Sequence, residues 1–241
     1  MKRLFLILLT FGLTATSFAQ PPNYDDLLIY FADGDYEKLV KKAEKYTLED
    51  ETKNDPLPYL YCSKGNFEMS KDQKYAEDYP KAYNDAIKFA GKSLRKDKNG
   101  DMFSEHKNYF TDLKKAVVED LKNMVDEEDF NRMRGTIMKL QRVDPSDVGS
   151  HFLMTAALFR IKDKSGAKLA LKEALAQLDA VESVENWREV DFEMLRIGII
   201  EYSKYRIDLR QDQFAKDVLN KVKQWFEEDE EFMRFYDQYG L

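Results

Sequence analysis

The chain is poor in the residues that make turns, form disulfides or bind metals. Its 241 residues include 10 glycines and 6 prolines, about 4% and about 2.5% of the total, against usual values near 7% and 5%. An all-β fold needs such turn residues every ~8–12 positions, so the scarcity argues against a sandwich or barrel. The single cysteine, Cys62, excludes an intramolecular disulfide or thiolate cluster. Because His106 and His151 are also far apart in the sequence, we expect no metal site and no cofactor.

Residues 1–19 have the layout of a secretory signal peptide. Lys2 and Arg3 precede an apolar stretch over residues 4–13, and small or polar residues follow as far as Ala19. We therefore expect cleavage between Ala19 and Gln20. The alternative is a membrane anchor, but the uncharged run is short of the ~20 apolar residues that a span needs. After cleavage we expect no stable membrane span.

Removal of this segment makes the chain more acidic. Residues 1–19 carry two basic and no acidic side chains, so the net charge changes from −7 to −9. An acidic surface repels phosphate backbones, and nucleic acid is a poor candidate partner. The chain has neither an Asn-x-Ser/Thr sequon nor a disulfide, which fits a bacterial periplasm better than a eukaryotic secretory route. We expect an exported protein, periplasmic first and fully secreted second.

Apolar residues recur every three or four positions along almost all of residues 20–241. This is the period of amphipathic α-helices, and it divides the chain into about ten helices joined by short polar turns. Alternation of the kind typical of strands is not evident. The pattern predicts an all-α fold in one domain over 20–241, either a bundle or a solenoid of helix pairs.

Four segments repeat one arrangement of apolar residues. They are GDYEKLVKKAEKY (34–46), YNDAIKFAGKSLRKD (83–97), FNRMRGTIMKLQRVDP (130–145) and GAKLALKEAL (166–175). The equivalent positions are Leu39, Ala86, Met133 and Ala167, at intervals of 47, 47 and 34 residues. A self-similar spacing of this length is the signature of a repeat architecture.

The repeated arrangement resembles the tetratricopeptide repeat, a family in which two antiparallel helices form each unit. Phe152, Thr155, Ala156 and Phe159 are similar to the first helix of such a unit, where a small residue lets the paired helix approach closely. The resemblance implies an α-α superhelix, a solenoid of antiparallel helix pairs. It also implies a concave face, lined by the first helices, that binds peptides or protein segments.

On this resemblance, certain residues of the first helices are candidates for partner binding. For the apolar members of the set the alternative is ordinary core packing, since apolar stripes of helices face the interior by default. The candidates are Tyr59, Asn66, Met69, Leu153, Arg160 and Tyr202.

The C-terminal segment 227–241 is both acidic and aromatic. Five consecutive acids are followed by Phe232, Phe235, Tyr236 and Tyr239 at helical spacing. The last unit of a repeat array must cover its outer face, so the segment is expected to be a capping helix. The alternative is a docking element for a partner.

No motif carries catalytic chemistry. His106 stands beside Glu105 with no second group spaced to act with it, and we interpret it as a solvated histidine near a helix start. Ser150 and His151 are adjacent on a predicted helix and point about 100° apart, so they cannot act as nucleophile and base. The expected function is a non-enzymatic scaffold or adaptor in the bacterial cell envelope that holds a protein or peptide in a helical groove. The alternatives are an exported helical enzyme-accessory protein and a small-ligand-binding bundle.

Overall fold

The computed structural model of the chain describes residues 22–239, and these residues form twelve α-helices and no β-strand. The all-α prediction is confirmed, although the helices outnumber the ten expected. The helices are α1 (Asp25–Ala32), α2 (Tyr36–Leu48), α3 (Pro56–Lys71), α4 (Ala82–Lys96), α5 (Asp101–Glu105), α6 (Lys107–Asp126), α7 (Phe130–Val143), α8 (Val148–Arg160), α9 (Lys164–Asp179), α10 (Glu189–Asp208), α11 (Asp212–Val222) and α12 (Glu230–Gln238).

The predicted signal peptide, with its Ala19–Gln20 cleavage site, lies outside the described residues. Residues 240–241 at the end of the capping segment do so too. Between residues 22 and 239, no helix combines the length and the apolar character that crossing a membrane requires.

Two helices account for the higher number. The periodicity predicts one long helix over 103–124, but the backbone leaves the helical region at His106, where φ is −116° and ψ is 27°. This break separates α5 from α6. The other additional helix is α12, which occupies most of the C-terminal segment.

Four of the connections between helices are the same three-residue turn. In each turn the middle residue has a positive φ: 73° at Gly34, 54° at Glu128, 65° at Lys162 and 59° at Arg210. The third residue donates its N–H to the carbonyl five positions earlier, always at 2.9 Å. This hydrogen bond and the left-handed middle residue define the Schellman motif that ends many helices. Only the first of these turns uses glycine. In the other three, a residue with a side chain adopts the left-handed conformation, which has an energetic cost.

The residue five positions after each left-handed residue is buried. These residues are Leu39, Met133, Ala167 and Ala215, each at most 1% exposed. Three of them belong to the set that the sequence aligned as equivalent, and the fourth member of that set, Ala86, is fully buried in α4. The turns and the repeated apolar pattern are therefore in register.

The helices pack both on their neighbours in the chain and on helices further along it. Helix α3 packs against α2 and α4, α7 against α4, α6 and α8, and α10 against α8, α11 and α6. The contact between α8 and α10 is made by backbone, since a Cβ on Gly198 would lie 2.1 Å from the carbonyl oxygen of Gly149. A Cβ on Gly149 would be 2.3 Å from the backbone of Met194, so both glycines are needed for this close crossing.

Helix α12 covers one end of the apolar core. Phe232, Phe235 and Tyr236 are buried together with residues of α10 and α11. The carboxylate of Asp229 accepts the N–H of Phe232 at 2.9 Å and caps the helix. Burial of each aromatic side chain is worth about 1.5–3 kcal/mol. Helix α12 therefore shares one apolar cluster with α10 and α11.

Candidate functional site: a half-buried lysine beside an open groove

Lys64, on α3, lies among aromatic rings contributed by three helices. Its Nζ is 5.4 Å from the ring centre of Phe31, 5.7 Å from that of Tyr61 and 5.6 Å from that of Tyr109. The Nδ1 of His106, at the break between α5 and α6, is 3.4 Å from the same Nζ. We call these five residues the Lys64 cage. The distances to the rings are those of cation–π contacts.

The polar atoms of the cage have defined roles. Lysine has donors only, so the ammonium of Lys64 donates and Nδ1 of His106 accepts, which places the proton of a neutral imidazole on Nε2. Ser63 Oγ donates its single proton to the carbonyl of Ala86 at 2.5 Å. The Tyr109 hydroxyl, 2.6 Å from Ser63 Oγ, is therefore the donor in their contact, which fixes this wall of the cage.

Burial controls protonation in the Lys64 cage. It lowers the pKa of Lys64, and within residues 22–239 no carboxylate oxygen comes within 4.0 Å of Nζ to oppose this effect. Burial also lowers the pKa of His106, as does the charge of Lys64, while Glu105 acts in the opposite direction. The cage is therefore a positive centre that the described residues leave without a direct anionic partner.

An open groove adjoins the cage between α1 and α3. Its space is about 600 Å³, and Tyr61 belongs both to it and to the cage. Leu28 is 55% exposed at its edge. The lining residues, which define the α1–α3 groove, are Pro22, Asn23, Tyr24, Asp25, Leu28, Leu57 and Tyr61.

A second lysine, Lys114 on α6, is surrounded by carboxylates. Its side chain is 2% exposed, and Nζ lies 2.8 Å from Asp144 and 2.6 Å from Asp191, with Asp147 in direct contact as well. Arg188 adds contacts of 2.6 Å to Asp191 and 3.4 Å to Asp144. We call these five residues the Lys114 network. It connects α6, the start of α8 and the start of α10.

The two cations and three carboxylates of the Lys114 network shift each other's pKa values. Burial lowers the pKa of Lys114, but the three aspartates outweigh it, so the net shift is upward. Burial likewise raises the pKa of Asp191, yet Arg188 and Lys114 bring it down to about 2. For Asp147, burial dominates and the pKa is raised. The network therefore holds charged side chains in the interior by mutual pairing.

Three carboxylates this close also have the spacing of metal ligands. One oxygen from each of Asp144, Asp147 and Asp191 lies within 4.8 Å of the other two. The ammonium of Lys114 contacts all three, and Arg188 contacts two of them. These cations already supply the positive charge, so the donor set fits an ion-pair network better than a divalent metal.

The structure places five of the six predicted partner-binding residues in the interior. Their relative exposures lie between 0% and 7%, so they offer little side-chain surface to a partner. Their side chains pack in the core, and some make internal hydrogen bonds, such as Asn66 to the carbonyl of Cys62 at 2.8 Å. The physical reason is that neighbouring helices pack on both sides of the helix faces that carry these residues. The five are Tyr59, Asn66, Met69, Leu153 and Tyr202.

Arg160 is the predicted residue that remains accessible. It is half-buried, pairs with Asp208 at 2.8 Å, and lies over the ring of Tyr205. It is distant in the chain from the Lys64 cage and shares no contact with it. The structure thus does not bring the six predicted residues together into one surface.

Sequence reasoning missed Lys64 and Lys114, and it placed His106 in solvent. His106 is half-buried, and the group beside it, Lys64, is 42 positions away in the chain. A signal for the two lysines was present, since each interrupts an apolar stripe. Lys64 stands between Leu60 and Phe67 on α3, and Lys114 stands between apolar residues of α6. A charged residue on the buried face of a helix is rare unless it has a partner or a role.

Comparisons with family models, with curated proteins and with solved structures give no match to this chain.

Proposed function

We propose that the chain is a non-enzymatic scaffold of the bacterial cell envelope that binds an extended protein or peptide segment. The observation that carries the proposal is the α1–α3 groove, which is open to solvent, has both apolar and polar lining residues, and lies next to the Lys64 cage. A scaffold needs an open groove, whereas an enzyme needs a pocket in which ionisable groups converge on a reacting atom. The Lys114 network borders a smaller space of about 160 Å³, and there its ionisable side chains pair with each other.

We further propose that the helix pairs form a tetratricopeptide-like solenoid. The repeated Schellman turns support this, because their left-handed residues are 94, 34 and 48 positions apart, and 94 is twice the 47-residue interval found in the sequence. The packing of α8 on both α9 and α10, the next helix and the one after it, also supports it. Helices α1, α3, α6, α8 and α10 would be the first helices of the units, and α12 the cap.

Panning a library of random displayed peptides on the purified protein tests the binding function. The affinity of each selected peptide would then be measured for wild type, for Leu28→Asn and for Leu169→Asn. Leu28 borders the groove at 55% exposure, while Leu169 on α9 is 72% exposed and lies outside it, so both variants should fold. Loss of apolar contact at Leu28 should weaken binding about tenfold.

The control decides what a positive result means. Binding that falls in Leu28→Asn and persists in Leu169→Asn supports the α1–α3 groove. Equal binding by all three proteins would place the peptide elsewhere. A library from which nothing is enriched would count against the scaffold function itself.

Export has its own test, the intact mass of the protein recovered from the periplasm of an expressing bacterium. We expect a chain that begins at Gln20, because Ala19 ends the small-residue stretch before the predicted cut. Recovery of the protein from the cytoplasm instead, with the mass of the full-length chain, would contradict the periplasmic proposal.

A further inference from the structure

A pocket of about 330 Å³ lies where α4 and α7 end, and we call it the α4–α7 pocket. This volume is in the usual range of small-molecule sites. Four of its lining residues are uncharged, two are arginines and none is acidic. It has no lining residue in common with the α1–α3 groove. The lining residues are Gly91, Leu94, Arg95, Arg142, Val143 and Pro145.

The repeat places the two arginines at equivalent positions. Arg95 and Arg142 are 47 positions apart, the interval that also separates the aligned residues Ala86 and Met133. Each arginine is the next-to-last residue of its helix, and α4 packs against α7. A Cβ on Gly91 would lie 3.1 Å from the Cβ of Arg142, so this glycine lets the two helix ends approach closely. Two positive charges therefore border the same pocket.

No carboxylate of the described residues pairs with these two charges. Both arginines are exposed, and within residues 22–239 no carboxylate oxygen comes within 4.0 Å of either guanidinium. The acids that follow the two helices are engaged elsewhere, since Asp97 accepts a backbone N–H of α5 at 2.9 Å and Asp144 belongs to the Lys114 network. A cation in the last turn of a helix is favoured by the helix dipole, which accounts for one charge on each helix. The N–H donors of each guanidinium are still available to a ligand.

The uncharged walls and the two guanidinium groups together indicate the chemistry of the ligand. A guanidinium binds a carboxylate through two parallel hydrogen bonds. An inorganic anion would use the arginines and leave Leu94 and Val143 in contact with water. An uncharged apolar molecule would cover these two residues and leave the arginines unpaired. A molecule that has both a carboxylate and an apolar body uses both parts of the pocket.

We propose that the α4–α7 pocket binds a small amphipathic carboxylate, a molecule with one carboxylate on an acyl chain or on an aromatic ring system. The carboxylate accepts hydrogen bonds from Arg95 and Arg142, and the apolar body packs on Leu94, Val143 and Pro145. The lining comes from two helix ends and one residue of the turn after α7, which favours a compact molecule over an extended peptide. This site is separate from the groove of the proposed function and does not depend on it.

The test is calorimetric titration of the purified protein with decanoate and with 2-naphthoate, which have a flexible and a rigid apolar body. Decanol and acetate are the control ligands, because decanol lacks the carboxylate and acetate lacks the apolar body. Decanoate is kept below the concentration at which it forms micelles. Each ligand is titrated into wild type, Arg95→Met, Arg142→Met and Arg134→Met.

The three variants remove the same charge from different places. Methionine keeps the unbranched stem of arginine and loses the guanidinium. Arg134 is the matched control, because it is exposed on α7 and lies outside the lining of the pocket. All three arginines are exposed, so each variant should fold, and thermal melting verifies this. The comparison of ligands on wild type does not depend on any variant.

Decanoate or 2-naphthoate should bind wild type more tightly than decanol and acetate do. Arg95→Met and Arg142→Met should each weaken binding about ten- to a hundredfold, the range of a hydrogen bond to a charged group, while Arg134→Met should change it by less than about twofold. Absence of binding by both carboxylates would overturn the proposal, as would equal binding by wild type and the two pocket variants. Decanol that binds as tightly as decanoate would show that the arginines take no part. Acetate that binds as tightly would identify a site for any small anion, and either result would overturn the proposal.

Discussion

Lys64 and Lys114 both interrupt apolar stripes of helices, but their environments give them opposite properties. Lys114 meets three aspartates that are 30, 33 and 77 positions away in the chain, and its pKa is raised despite burial. Lys64 meets aromatic rings and a neutral imidazole, and burial lowers its pKa. Burial acts in the same direction on both lysines, so the difference comes from the groups that surround each ammonium.

This difference separates a structural role from a binding role. A cation that is fully paired inside the protein has nothing left to offer a ligand, and its removal leaves the partners without compensation. A cation without an internal carboxylate contributes little to folding and remains available to an anion. The two regions can therefore be distinguished by stability measurements, and three predictions follow from the largest expected effect to the smallest.

The largest effect is expected for Lys114→Met. The substitution leaves Asp144, Asp147 and Asp191 close together with Arg188 as the remaining cation. Breaking a buried ion pair by removing one partner costs about 3–5 kcal/mol, and the free energy of unfolding in urea should fall by this amount.

Lys115→Met is the matched control, because it removes the same charge from the exposed side of α6. It should change the free energy of unfolding by less than about 0.5 kcal/mol. A loss below about 1 kcal/mol in Lys114→Met would show that the network does not stabilise the fold, and the contrast with Lys64 would disappear.

The second effect is the pH dependence that Asp191 gives to the Lys114 network. Its pKa in the folded protein is about 2, against an ordinary value of 3.8, because Arg188 and Lys114 outweigh burial. Because the pKa of Asp191 is lower in the folded chain, the ionised carboxylate stabilises the protein at pH values above 3.8. This stabilisation is lost as the pH falls toward 2. The stabilisation is about 2 kcal/mol.

Comparison of wild type with Asp191→Asn isolates this contribution. The difference between their free energies of unfolding should shrink by about 2 kcal/mol between pH 4 and pH 2. A difference that stays constant over this interval would mean that Asp191 is not paired in the folded state.

The smallest effect is expected for Lys64→Met. No carboxylate in the described part of the chain loses a partner, and methionine retains the apolar stem among Phe31, Tyr61 and Tyr109. We expect the free energy of unfolding to change by less than about 1 kcal/mol, toward greater stability, because a half-buried unpaired charge is removed.

The pH dependence of the free energy of unfolding gives a second test of whether Lys64→Met stabilises the protein. The pKa of Lys64 is lower in the folded than in the unfolded chain, so the unfolded chain binds more protons between the two values. Wild type should therefore gain stability relative to Lys64→Met as the pH rises toward 10.5. If Lys64→Met instead lowers the free energy of unfolding by about 2 kcal/mol or more at neutral pH, Lys64 belongs to a stabilising pair and does not differ from Lys114 in this respect.

Periodicity in the sequence predicts much of the fold. The stripe over 36–46 corresponds to α2 (Tyr36–Leu48), and the aligned positions Leu39, Met133 and Ala167 are buried at the same distance from identical turns. Helical propensity and the spacing of apolar residues are local properties, so a single sequence contains them. The break at His106 was missed because the apolar pattern continues across it.

The site was less predictable. A stripe shows which face of a helix is apolar, but it does not show whether another helix covers that face. Tyr59, Met69 and Tyr202 are buried by neighbouring helices, whereas Leu28 is left 55% exposed beside a groove. The choice between core and binding surface therefore depends on helix packing, which no single stripe encodes.

The sequence by itself determined the helical class and the spacing of the apolar residues along each helix, because these follow from interactions over a few positions. Only the tertiary structure decided that Lys114 meets three carboxylates, whereas Lys64 meets aromatic rings and His106. The partners of Lys114 and the neighbour of Lys64 come from 30 to 77 positions away. Electrostatic energy depends on distances in space and on removal from water, and these quantities exist only once the helices have packed.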